Sequence, residues 1–125
     1  MMKKMVTEYR PWGNYRVIEE SDKYKIKMIE VNTGGRLSYQ YHYRRSEVWT
    51  IIAGIATVTL DGVEESYHSG DTILIPQGAK HRIENKEVWE QPLIFIEVQH
   101  GSYFGEDDIV RIEDDYNRGP VVHRR

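Results

Sequence analysis

The chain has 125 residues, with 17 Lys and Arg, 20 Asp and Glu, and a formal charge of −3 at pH 7. That length fits one domain, 1–125, able to bury its own core, and the interspersed charges exclude a general nucleic-acid surface. No cysteine is present, which excludes disulfides, thiolate zinc sites and cysteine nucleophiles and leaves nitrogen and oxygen as the only metal ligands.

In chain order, the start from Met1 to Arg10 lacks the apolar stretch of a signal peptide. No apolar run approaches the length of a membrane span. A cytoplasmic protein without a membrane partner is expected. Runs rich in Ile, Val, Thr and Tyr predict strands over Tyr24 to Val31, Arg36 to Tyr43, Val48 to Ala53, Ile55 to Leu60, Val63 to His68, Thr72 to Ile75 and Leu93 to Val98. Turn signals separate them: Asn32-Thr33-Gly34-Gly35, Asp61-Gly62, Ser69-Gly70-Asp71 and Gln77-Gly78. Asp61-Gly62 predicts a two-residue hairpin. Glu106 to Arg118 is acidic and predicts a short helix or an ordered tail, and Gly119 to Arg125 a flexible, solvated end. Many short strands with frequent turns indicate an all-β antiparallel sandwich or barrel, with its core over about residues 10–118.

Alternation along a strand puts Ser38, Gln40 and His42 on one face and Tyr39, Tyr41 and Tyr43 on the other. After Arg44-Arg45-Ser46, the same rule groups Glu47, Trp49 and Ile51. If these two strands pair, Glu47 can meet Gln40 and His42. The turn at Pro76-Gln77-Gly78 then brings in His81 on another strand. Gln40, His42, Glu47 and His81 form a mixed nitrogen and oxygen ligand set. It suits zinc, and equally Mn, Co, Fe or Ni in the divalent state. His68, His100 and His123 have no partner at ligand spacing.

These segments resemble the two motifs of the cupin superfamily. In the first, G-(X)5-H-X-H-(X)3,4-E-(X)6-G, Gly34, His42, Glu47 and Gly54 fit and Gln40 replaces the first His. In the second, G-(X)5-P-X-G-(X)2-H-(X)3-N, Gly70, Pro76, Gly78, His81 and Asn85 all fit. Gln-X-His is similar to the phosphomannose isomerases. So are Arg10-Pro11-Trp12-Gly13, Leu37-Ser38-Tyr39-Gln40, His81-Arg82-Ile83-Glu84-Asn85 and Phe95-Ile96-Glu97-Val98-Gln99. The stretch from Gly105 to Tyr116 looks like the C-terminal signature of the type II members, in many of which this cupin follows a guanylyltransferase domain. Tyr43, Arg44, Val48 and Asn117 depart from that family's pattern.

The resemblance implies a cupin double-stranded β-helix, or jelly-roll barrel, that forms a homodimer. It implies a metal-dependent isomerase, zinc first, interconverting mannose 6-phosphate and fructose 6-phosphate through a cis-enediol. The phosphorylated sugar needs a local cationic cluster in a net acidic chain. Arg111, Arg45 and Lys27 are the candidates for substrate binding, with Arg111 and Arg45 also expected to act in catalysis. Trp12 and Trp49 are expected in the core, with packing against a sugar as the alternative. The alternatives are a cupin enzyme acting on a different sugar, and a non-catalytic sugar-phosphate-binding cupin or partner of a separate guanylyltransferase. Guanylyl transfer by this chain alone is not expected, because it has no glycine-rich nucleotide loop.

Overall fold

A computed structural model describes residues 5–116. Eleven strands and no helix occur among them: β1 (Thr7–Arg10), β2 (Gly13–Glu20), β3 (Tyr24–Val31), β4 (Tyr39–Tyr41), β5 (Arg45–Ala53), β6 (Ala56–Leu60), β7 (Val63–Tyr67), β8 (Thr72–Ile75), β9 (His81–Glu84), β10 (Leu93–Gly101) and β11 (Val110–Glu113). They form two antiparallel sheets, ordered β1-β2-β3-β10-β5-β8 and β11-β4-β9-β6-β7. No helix among the described residues is long and apolar enough to cross a membrane.

Alternation on the three central strands of the larger sheet divides the interior into rows. Leu93 pairs with Val31, and Phe95 lies between Ile29 and Ile51. These side chains are all buried, and with Ile83 and Val58 from the smaller sheet they make the apolar core. Further along the same strands, Glu97 lies between Lys27 and Trp49, and Gln99 between Lys25 and Glu47. Lys27, Glu47, Glu97 and Gln99 are equally buried. The outer face reverses this chemistry, with Ile26, Val98, Val48 and Leu74 in one row across four strands. One end of the barrel interior is therefore oil and the other is charge.

The Asp61-Gly62 hairpin forms as expected, with Leu60 opposite Val63. Both turn residues have positive φ, 46° and 85°, as the favoured hairpin turn requires. Asp61 also accepts from Lys80 N at 2.9 Å, which pins the turn beside the start of β9.

Several expectations are corrected. The expected strand from Arg36 to Tyr43 is regular only over β4, with an isolated bridge from Arg36 to Glu84. The acidic stretch from Glu106 contains no helix among its described residues. Its β-branched Val110 and Ile112 lie in β11, which pairs with β4 and sets Arg111 beside Gln40. Strand β4 does not pair with β5; the two belong to different sheets, so Glu47 meets His42 across the barrel interior. The hairpin of β1 and β2, closed by Pro11 and Trp12 between Arg10 and Gly13, was not expected. The expected tail over residues 119–125 lies outside the described residues, as does His123.

Substituting Gly62→Ala forces a side chain into the left-handed region with no steric contact to blame. Urea unfolding is expected to show a loss of about 1–2 kcal/mol; an unchanged midpoint would mean that the turn relaxes freely.

Candidate metal centre

His42 follows β4, Glu47 lies on β5 and His81 opens β9. The turn at Pro76-Gln77-Gly78 joins the two histidine segments, since Gly78 N donates to His42 O at 2.9 Å. Gly78 has φ 83°, a conformation glycine adopts without penalty. His42, Glu47 and His81 each present a ligand atom, all within 4.8 Å of one another. His42 Nε2 is 3.3 Å from Glu47 Oε2, and His81 Nε2 is 3.9 Å from Glu47 Oε1. All three residues are buried.

The surroundings prepare the imidazoles as ligands. His42 Nδ1 donates to Asp108 O at 2.6 Å, and His81 Nδ1 donates to Ala79 O at 2.9 Å. Each bond fixes the tautomer that leaves the Nε2 lone pair facing Glu47. Burial pushes His42 down to about 4 and lowers His81 as well, so both rings are neutral near pH 7. Burial alone would raise the Glu47 carboxyl, but Arg45, His42 and His81 hold it well below the usual carboxylate range. Two neutral imidazoles and one carboxylate, oriented from behind by backbone carbonyls, fit a divalent ion of zinc type. Gln40 pairs with His81 in register and lines the same cleft. Its Nε2 donates to Ser38 O at 3.4 Å, leaving the amide oxygen as the group to offer an ion.

Arg45 and Lys27 are not solvated surface charges. Arg45 is 6% exposed, donates from Nε to Glu47 Oε2 at 2.9 Å, and reaches His42 Nε2 at 3.2 Å through its NH2 group. An ion and this guanidinium compete for one lone pair. Lys27 and Arg111 line the cleft together with Arg10 and Arg82. Trp12 and Trp49 belong to the core, as expected, and also wall the cleft.

Sequence reasoning missed Glu97 and Asp108. Trp49 Nε1 donates to both Glu47 Oε1, at 2.9 Å, and Glu97 Oε1, at 3.1 Å. Burial and then Glu47 raise Glu97 to about 8. Its inward position, two residues beyond Phe95, was the available signal. Asp108 is 3% exposed, and its carboxylate accepts from Tyr43 N at 3.1 Å and Arg44 N at 3.0 Å. No local spacing announces a contact spanning more than sixty residues. Asn85, matched by the second motif, holds backbone instead: its Nδ2 donates to Val31 O and Gln91 O. His68 and His100 are exposed and lie outside the triad.

Comparison with known proteins identifies the lineage and changes the functional expectation. The chain is 46% identical over 110 residues to a mannose-1-phosphate guanylyltransferase of Escherichia coli K12, covering 88% of this chain and 23% of that protein. It is 44% identical, with the same coverages, to the xanthan biosynthesis protein XanB of Xanthomonas campestris. It thus spans under a quarter of the length of the curated relatives it matches. An RmlC-like cupin from Shewanella frigidimarina superposes with a TM-score of 0.71 at 20% identity, over 83% of this chain and 88% of that one. The fold is accordingly a cupin double-stranded β-helix.

The expected mannose-6-phosphate isomerase activity is corrected by these relatives. Proteins at 42–46% identity carry the name of a nucleotidyltransferase. The residues gathered here line a pocket, and a pocket does not specify which reaction is carried out there. A model of the mannose-6-phosphate isomerase C-terminal family matches residues 1–114, and the chain belongs to that family.

Proposed function

We propose that this chain binds a phosphorylated hexose at a divalent metal centre, as a sugar-phosphate-binding cupin in the service of guanylyl transfer. The observation that carries this reading is the buried His42–Glu47–His81 triad in a cleft lined by five cationic and three acidic side chains. The relatives' names make mannose 1-phosphate the first ligand to test. Guanylyl transfer itself is not assigned to these residues, whose sequence has no glycine-rich nucleotide loop.

In this reading Gln40 is the fourth ligand and zinc the first metal, followed by Mn, Co, Fe or Ni. A divalent ion held there would polarise a sugar oxygen. Lys27, Arg45 and Arg111 are assigned to the phosphate, which demands fixed positive charge. Ser38 Oγ is buried, lines the cleft and has no hydrogen-bond partner among the described residues; a sugar hydroxyl would satisfy it. The cleft is walled by aromatic and aliphatic side chains with a few convergent polar groups, the lining small-molecule sites use. A cytoplasmic location fits the biosynthetic naming of XanB. The homodimer is proposed through the outer row of Ile26, Val98, Val48 and Leu74, whose edge member Leu74 is 59% exposed. Self-packing of such a row buries it isologously. Sedimentation should then show a dimer that Leu74→Lys dissociates, and a wild-type monomer would reject this contact.

Calorimetric titration tests the main reading. Mannose 1-phosphate is expected to bind zinc-loaded protein and not chelated protein. His81→Ala should weaken zinc binding beyond the about 10–100-fold that a change behind a ligand costs. Equal sugar-phosphate binding with and without metal would sink the metal-centred reading.

Glu97 supplies a second test, on metal-stripped protein. Its folded-state value of about 8 lies above the ordinary 4.5, so between these values the folded state holds a proton that the unfolded chain releases. Stability is therefore lost as pH rises from 4.5 through about 8. Glu97→Gln keeps the group neutral at every pH. The drop in urea midpoint between about pH 5 and about pH 8 should be smaller in this variant than in wild type; equal drops would show that Glu97 ionises normally.

A further inference from the structure

Lys27 is 5% exposed, and its ammonium lies 4.3 Å from the centre of the Tyr15 ring. It donates to Glu106 Oε2 at 2.9 Å. Lys25 Nζ is 3.9 Å from the same oxygen. Arg10 stands over the Tyr15 ring at 5.0 Å and donates to its hydroxyl at 3.1 Å. Three cations thus gather around Tyr15 and one carboxylate at the rim of the cleft.

The two partners of this ion pair are unequal. The Glu106 side chain is 56% exposed, whereas that of Lys27 is 6% exposed. Returning Glu106 to water costs little, because most of it is already there. Losing Glu106 costs Lys27 more, because a buried charge needs a counter-charge and Glu97, the other acid beside it, is already engaged by Trp49 and Gln99. The site therefore requires an anion, but not this one. Nor does the segment depend on the pair: Asp108, two residues on, anchors it through the backbone of Tyr43 and Arg44. The Glu106 side chain can leave while its backbone stays in place.

We infer that Lys27 marks the anion subsite of the cleft and that Glu106 is its internal occupant, displaced when a phosphate group enters. The phosphate class rests on the sugar-phosphate reading above, but the subsite does not require the metal. A dianionic phosphate offers Lys27 more charge and more acceptor oxygens than a carboxylate does, and Lys25, 3.9 Å from the carboxylate oxygen it would replace, stands close enough to share it.

Inorganic phosphate, titrated calorimetrically into the full chain without added metal, tests this. Glu106→Gln should bind phosphate about five- to tenfold more tightly than wild type, the factor expected when a competitor leaves the site open about a tenth to a fifth of the time. Asp107→Asn removes the same charge from the same segment, where Asp107 meets the Tyr103 hydroxyl instead. It should match wild type. Adding Lys27→Met to Glu106→Gln should abolish binding. The inference is overturned if Glu106→Gln binds no tighter than wild type, if Asp107→Asn tightens binding equally, or if phosphate binds none of these proteins. Persistent tightening in Glu106→Gln while zinc-loaded wild type ignores mannose 1-phosphate would discard the metal-centred reading and keep the subsite.

Discussion

Glu47 is 1% exposed and still ionised, and most of the site follows from what that requires. A carboxylate in so dry a place needs donors and positive charge on every side. Arg45 and Trp49 provide them from the same strand, because alternation at i−2 and i+2 turns all three inward. His42 and His81 approach from the facing sheet. The guanidinium that neutralises Glu47 without an ion is the group an ion would displace, and the two neutral imidazoles are those it would use. Metal binding and charge compensation are thus two solutions to one electrostatic problem, and Arg45, which touches both Glu47 and His42, stands between them.

The middle of the chain was legible because its signals are local. Strand β3 and β8 were delimited correctly from β-branched runs between turns, and Asp61-Gly62 closed the hairpin its dipeptide predicts. His42, Glu47 and His81 lie within one ion's reach of one another, and Gln40 lies opposite His81 in the same cleft. What escaped was non-local. Nothing near Asp108 reveals that it clamps the backbone after His42. Nothing near Glu106 reveals that it ends on Lys27. The acidic stretch read as helix or tail because charge obscured the β-branched residues that pair with β4. The ligands were also grouped by assuming that neighbouring strands pair, whereas they meet across the barrel between two sheets.

The functional expectation failed at a different level. The motifs describe how a cupin holds its ligand set, and His42, Glu47 and His81 stand close enough together to share one ion. The reaction was inferred from a family name, while the relatives of high identity are named for another reaction. The ligand proposed above is an anionic, oxygen-rich molecule. The arrangement of Lys27, Tyr15 and Glu106 says more about that molecule than the motif does, because it reports a demand for negative charge at a definite place.

The row-by-row division of β3, β5 and β10 has a consequence for how such a barrel changes over generations. Phe95, Ile29 and Ile51 hold the sheet together in one row, while Glu97, Lys27 and Trp49 occupy the next. A substitution in the charged row can alter what the cleft receives without loosening the row that folds the chain. Stability and ligand choice thereby rest largely on separate residues, with Trp49, whose ring packs against Phe95, shared between the two rows. A scaffold arranged this way can drift to new chemistry in single steps, each leaving a folded protein behind it.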